Sequence, residues 1–241
     1  MTPWALVTGA DRGLGLALVK RLLAGGCHVL AGQFADEEGE LGRLESQSGA
    51  RLIRLRLDIS DAGSVATAVE RVRAVTDRLD ILVNNGAVLG NITATIEDEL
   101  DFAEMEQVFR VNTLGALRVT QALIGLLLQS DSKLLVNISS EAGSIGDCKR
   151  TSWYAYCMSK AALNMQSQLI YNQIRPQGGK VLVIHPGHVQ SYMQGKLDTT
   201  GKLTPDQSAA RIQLLMEQRL AAPADGEPLA LLDCEGRVLP W

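Results

Sequence analysis

The chain predicts a doubly wound parallel α/β sheet, built as a single domain over residues 1–241. Three observations carry that expectation. Short β-type runs alternate with longer helical stretches along the whole chain, which implies parallel strands joined by right-handed crossovers. The strand candidates are continuous apolar runs rather than alternating ones, as when helices cover both faces of a sheet. A glycine-rich turn joins the first strand to the first helix.

The elements follow in order. Residues 4–8 read as a strand, and residues 14–24 as a helix stopped by Gly25-Gly26. Next come a strand at 28–31, a weak helix at 36–47, a strand at 52–57 and a helix at 62–76. Ile81-Leu82-Val83 is a short buried strand. One long helix spans 102–128, and 133–138 is a strand. Residues 153–174 are helical, ended by Arg175-Pro176, and 181–184 form a strand. Thr204-Pro205-Asp206-Gln207 reads as a helix start, with Thr as N-cap, Pro at the first helical position and Gln closing a capping box. That helix runs to about residue 220, and 229–232 is a last strand. No linker divides the chain.

Composition excludes several classes. With 46% apolar residues the chain can bury a sizeable core. Its net charge of −4, with no basic stripe, argues against nucleic acid or an anionic membrane as partner. The apolar stretch at 122–128 is too short to span a bilayer, and the N-terminus shows no signal-peptide pattern, so a cytoplasmic protein is expected. Cys27, Cys148, Cys157 and Cys234 are scattered, with no CxxC and no histidine placed to complete a metal site. They read as reduced thiols, and Cys157 is either reactive or a small packed residue. His28 reads as structural, and His188 is a candidate for a substrate pocket.

Tyr156 and Lys160 lie four residues apart in one predicted helix, so a phenol and an ammonium share a face. A phenol titrates near pH ~10, too high for proton transfer at neutral pH. A cation one turn away favours the phenolate and lowers that pKa. The pair is either a proton-transfer device or a solvated helix face.

Thr8-Gly9-Ala10-Asp11-Arg12-Gly13-Leu14-Gly15 spans the first βα junction. Its glycines permit a tight turn and close approach of backbone to a phosphate, and the helix beginning there offers free N–H groups. The second strand ends at Gln33-Phe34, where NAD enzymes usually offer a carboxylate to the adenosine ribose. Gln33 would not repel a 2′-phosphate and Arg12 supplies a cation, which favours NADP. Asp36, Glu37 and Glu38 weigh the other way. Asp58 either contacts adenine or caps the next helix.

With these features the chain resembles the short-chain dehydrogenase/reductase family. The resemblance rests on Gly9-xxx-Gly13-x-Gly15, Asn84-Asn85-Gly86-Ala87, Asn112, Ser139-Ser140, Tyr156-xxx-Lys160 and Pro186-Gly187-His188-Val189-Gln190-Ser191, in order. The tail from Glu235 to Trp241 is similar to the C-factor subgroup of carbonyl-reductase-like members. The family implies a Rossmann fold and an NADP-dependent oxidoreductase acting on a carbonyl or secondary alcohol, with NAD possible. It implies Tyr156 as general acid/base, Lys160 lowering its pKa, Ser140 holding the carbonyl oxygen and Asn112 holding a water. Cofactor contacts are implied for Gly9, Asp11, Arg12, Gly13, Leu14, Asp58, Ile59, Asn85, Gly86, Tyr156, Lys160, Pro186, Gly187, Val189 and Ser191.

Three departures stand out. The Asn-Asn-Gly-Ala order is inverted, Ser140 precedes Tyr156 by more residues than is common, and Ser191 replaces a threonine. The extra residues are expected in a loop at 147–152. Wide apolar sets on the helices at 102–128 and 153–174 predict a homodimer or homotetramer, unless the C-terminal tail covers them. A cofactor-bound signalling protein with little turnover is the alternative function.

Overall fold

Strand β1 (Trp4–Val7) lies inside the sheet, and its continuation Thr8–Arg12 leads into helix α1 (Gly13–Ala24). Then follow β2 (His28–Gln33), α2 (Glu40–Ser48), β3 (Leu52–Arg56), α3 (Ala62–Arg73) and β4 (Ile81–Asn84). The second half holds α4 (Phe102–Asn112), α5 (Leu114–Gln129), β5 (Leu134–Ile138), α6 (Tyr154–Ile174), β6 (Lys180–His185), α7 (Pro205–Ala221), β7 (Leu231–Asp233) and β8 (Val238–Leu239). The computed structural model describes residues 2–35, 39–193, 195, 197–224 and 228–241.

The strands form one sheet in the order β3-β2-β1-β4-β5-β6-β7-β8, parallel except for the β7–β8 pair. Successive residues of one strand feed opposite cores. Ala5 and Val7 pack with Leu16, Val19, Ile212 and Met216 on the α1/α7 face. Leu6 packs with Val65, Leu123, Leu127, Tyr171 and Ile174 on the α3/α5/α6 face. Each such fully buried aliphatic residue contributes roughly 1.5–3 kcal/mol, which is why the strands are apolar throughout.

Several elements differ from expectation. The helix predicted as continuous over 102–128 is two helices, broken at Thr113 (φ −104°, ψ −66°). Side-chain bonds outward hold the break: Thr113 Oγ1 donates to the Ser159 carbonyl at 2.9 Å, and Asn112 bonds the loop after β4. Within residues 102–129 an 18-residue stretch reaches a mean hydropathy of 1.4, long and apolar enough to cross a membrane. Their apolar stripe, including Val119, Leu123 and Leu127, is buried against the sheet. The helix predicted from residue 36 begins at Glu40; residues 36–38 lie outside the described residues. Helix α3 stops at Arg73 rather than at residue 76.

At the C-terminal edge, Asp233 organises a turn the sequence pattern did not signal. Its Oδ1 accepts from the Glu235 and Arg237 amides (2.9 Å each), and Gly236 adopts φ +84°. The two-residue strand β8 then pairs antiparallel with β7. The tail beyond it reaches the loop after β5, where the Gly146 amide donates to the Trp241 carbonyl at 2.9 Å. It leaves Leu114 of α5 and Met165 and Leu169 of α6 exposed, the last two by 64% and 61%.

Candidate active site

The predicted site residues follow the carboxyl ends of β1, β3, β4, β5 and β6, the edge where doubly wound sheets bind ligands. After β1, Gly9 (φ +62°) and Gly13 (φ +57°) take left-handed backbone conformations that disfavour any side chain. A Cβ on Gly9 would stand 2.7 Å from the Cα of Gly86, and a Cβ on Gly15 would overlap the Gly9 carbonyl. Asn85 seals this contact: its Nδ2 donates to the carbonyls of Thr8 and Gly9 at 3.0 Å. The Thr8 hydroxyl accepts from the amides of Asn85 and Gly86 at 2.9 and 3.0 Å. The inverted Asn-Gly order thus keeps a glycine at the crossing, packed against Ile59.

Among the described residues, helix α1 starts without a side-chain cap and without an acidic residue in its first turn. Beyond its chain neighbours and its own helix backbone, no described heavy atom lies within 4 Å of the place a Gly13 Cβ would occupy. This open turn with free N–H groups fits an anionic phosphate. Arg12 is exposed at the N-cap, its guanidinium 5.1 Å above the Tyr192 ring. Asp11 Oδ1 accepts from the Phe34 amide at 2.8 Å, and burial raises the pKa of its carboxyl against that bond. Gln33 is buried at the end of β2. Asp58 does not cap α3; Asp61 does, accepting from the Ser64 amide at 2.6 Å. Asp58 instead bonds the Ser60 amide and hydroxyl, while Arg118 bonds the Ile59 carbonyl at 2.5 Å.

Tyr156 and Lys160 lie on α6, both buried. The Ser140 hydroxyl faces the phenol and favours its ionised form, and Ser140 Oγ accepts from the Ala142 amide at 3.1 Å. Its neighbour Ser139 turns away and donates to Asn164 Oδ1 at 2.6 Å. Lys160 Nζ donates to the Ile138 carbonyl at 2.9 Å and stands 5.6 Å from the centre of the Tyr156 ring. The spacing predicts a lowered phenol pKa, and here the sign is reversed. Burial pushes Tyr156 up to about 12, and the nearby Ser140 hydroxyl offsets only part of that. Burial also pulls Lys160 down to about 8. The Asn112 side chain is bonded within the protein. Its Oδ1 accepts from the Val88 amide, and its Nδ2 donates to the Val88 carbonyl and to Ser159 Oγ, all at 2.8–3.0 Å.

Comparison with known proteins decides the family. A family model described as short chain dehydrogenase matches residues 3–202. The chain belongs to the short-chain dehydrogenase family. It is 34% identical over 166 residues to the C-signal protein of Myxococcus xanthus, covering 69% of this chain and 95% of that one. The NADPH-bound carbonyl reductase from chicken fatty liver superposes with a TM-score of 0.85 at 30% identity, over 100% of this chain and 94% of that one. A Burkholderia multivorans short-chain dehydrogenase/reductase with bound NADP gives 0.85 at 28% identity, over 100% of both chains. This chain is therefore an oxidoreductase of the C-factor and carbonyl-reductase-like type.

In this short-chain dehydrogenase the segment after β6 folds back on itself. Gly187 (φ +83°) leaves no room for a Cβ beside Leu203, Val189 bridges Leu203, and Ser208 Oγ donates to the Pro186 carbonyl at 2.7 Å. The Ser191 carbonyl accepts from the Asp198 amide at 2.8 Å, and His188 Nε2 lies 3.2 Å from Asp198 Oδ2. His28 stacks on Trp4 at 4.6 Å, a packing role. Cys157 is half-buried, and burial raises its thiol pKa, so it is not an activated nucleophile. Among the described residues no group of His, Cys, Asp and Glu could hold a metal.

Three residues that the sequence leaves without an assigned role act at the site. Thr8 holds the Asn85–Gly86 loop. Ser159 donates to the Tyr156 carbonyl at 2.8 Å and links it to Asn112. Gly143 lets the turn after Ser140 lie on the Lys160 backbone, which a Cβ would meet at 2.7 Å. A usable signal existed for Ser159, which falls three residues after Tyr156 on the same helix face.

Proposed function

We propose that this enzyme uses NADP(H) to interconvert a small-molecule carbonyl compound and a secondary alcohol, with Tyr156 moving the proton. The observation that carries the reading is the buried phenol of Tyr156, facing the Ser140 hydroxyl and one helical turn from the buried Lys160. When bound, the nicotinamide supplies or accepts the hydride at the carbonyl carbon. The protein's part is the proton and the charge. A phenol held protonated by burial is a competent acid toward an oxygen that gains negative charge as hydride arrives. Ser140 donates a hydrogen bond to that oxygen. Lys160, cationic below pH about 8, stabilises the phenolate left behind. The side chain of Asn112 holds the Val88 backbone, so any water on this residue falls to its main-chain carbonyl.

Phosphates fit the uncapped start of α1 between Gly9 and Gly13, and Arg12 is the cation for a 2′-phosphate. The NADPH and NADP in the related structures agree with that choice. Asp58 and Ile59 would flank the adenine, and Pro186, Gly187, Val189 and Ser191 the nicotinamide. The apolar face left open by Leu114, Met165 and Leu169 is read as the contact of a homodimer or homotetramer in the cytoplasm. Light scattering that returns the single-chain mass across a dilution series would remove that part.

The test of the activity is direct. Cofactor fluorescence is titrated with NADPH and NADH, and NADPH oxidation is then followed across a panel of aldehydes and ketones. Tight NADPH binding with turnover of at least one carbonyl supports the reading. Binding without turnover of any member would favour the signalling alternative that the C-signal likeness raises.

A further inference from the structure

The residues between Ser140 and Tyr156 form a longer connection than the resemblance predicts, and the structure ties that connection down at two points. Arg150 forms a two-bonded pair with Glu141, Nη1 to Oε2 at 2.9 Å and Nη2 to Oε1 at 2.6 Å. Such a bidentate pair fixes both position and orientation. Elsewhere in the loop, the Gly146 amide donates to the Trp241 carbonyl, and a Cβ on Gly146 would stand 3.1 Å from the Pro240 ring. The extra residues are therefore an ordered wall rather than slack.

Trp153 stands at the end of that wall. Its backbone is left-handed (φ 69°, ψ 29°), a conformation that is rare and strained for a bulky side chain. Its ring meets the Tyr156 ring edge-on, 6.1 Å between centres at 72°. The Arg150 guanidinium lies 5.1 Å over the same Trp153 ring. Contacts thus run unbroken from Glu141 through Arg150 and Trp153 to Tyr156. With Leu89, Ile92, Ala142 and Cys157, Trp153 makes the apolar surround of the phenol. Arg150, the cation of this wall, is already neutralised by Glu141 and is not free to hold an anionic substrate.

We propose that Trp153, held in place by the Glu141–Arg150 pair, is the specificity-determining residue that seats the apolar flank of the carbonyl substrate beside Tyr156. A planar group next to the carbonyl stacks on or against the indole, and Arg150 acts on the substrate through Trp153 as a positioning residue. The inference rests on the carbonyl-reducing reading above.

The test compares kcat/KM for an aryl methyl ketone with that for a four-carbon aliphatic ketone in the NADPH-loaded enzyme. Trp153→Ala is expected to lower the aryl-to-aliphatic ratio at least ~10-fold, mainly through KM, the order expected for losing a large apolar contact. Trp153→Phe keeps the ratio within about threefold, since a ring remains to stack. Arg150→Met, which never touches the substrate, moves the ratio in the same direction as Trp153→Ala by a smaller factor. Should the alanine variant fail to fold, Trp153→Leu takes its place, and its ratio must fall below that of Trp153→Phe. An unchanged ratio in a folded Ala or Leu variant overturns the proposal while leaving carbonyl reduction intact. A wild-type enzyme that reduces neither these ketones nor any other carbonyl overturns the functional reading, and this inference with it.

Discussion

Two helix starts in this protein obey opposite rules. At α7 the Thr204 hydroxyl accepts from the Gln207 amide at 3.2 Å, and the Gln207 side chain accepts from the Thr204 amide at 2.9 Å, with Pro205 behind them. Every local preference is met from within the sequence. At α1 the N-cap is Arg12, no described side chain caps the helix, and the flanking Gly9 and Gly13 are left-handed. Local stability is forgone at α1, leaving N–H groups unpaired in a place where a phosphate would satisfy them. Both starts lie at the carboxyl edge of the sheet; the one that violates local rules is the turn read as the phosphate site, and the one that satisfies them holds itself without a ligand.

The largest expected effect of breaking this contrast is at Gly15. An added Cβ meets the Gly9 carbonyl, which is backbone and cannot step aside. Gly15→Ala should cost about 3 kcal/mol or more and abolish NADPH binding. Thermal unfolding and cofactor titration on the same sample check it; native stability with native affinity would mean the crossing is looser than described. Next is Arg12→Ala, which should weaken NADPH by roughly 10- to 100-fold and leave NADH nearly unchanged, the loss of one charge-assisted contact. Equal losses for the two cofactors would remove Arg12 from the 2′-phosphate.

The pH profile sharpens the chemical side of the same region. Lys160 is cationic below about 8 and neutral above, because burial disfavours its charge. For carbonyl reduction, kcat/KM should be flat below that pH and fall as pH rises through it. A profile that stays flat well above that pKa would show that the charge on Lys160 is not needed. Smallest is the control at α7. Thr204→Ala should cost ~1 kcal/mol of stability and leave the NADPH Kd unchanged. A changed Kd would tie the capped start to the site and blur the contrast.

What was legible in the sequence follows the range of each interaction. The capping box at Thr204 and the Tyr156–Lys160 spacing are local, and both stand in the structure where the pattern predicts them. The parallel, doubly wound sheet followed from alternation and crossover handedness. Three things were not legible. The break at Thr113 depends on bonds to Ser159 and Val88, remote in sequence, while the composition of 102–128 favours an uninterrupted helix. Burial set the direction of the Tyr156 pKa, and spacing carries no information about burial. Strand β8 is too short to produce a periodic signal and depends on the Asp233 turn. The partnership of Ser140 with Tyr156 joins the end of β5 to α6, so only the family resemblance pointed to it.

The central claim is that Tyr156 moves the proton, and Tyr156→Phe tests it most directly. The ring stays to pack among Leu89, Ala142 and Trp153, so the fold and the NADPH Kd should be unchanged. On any carbonyl that the wild type reduces, kcat should fall at least ~10²-fold. A Tyr156→Phe variant that turns over like wild type while binding NADPH normally would contradict the account.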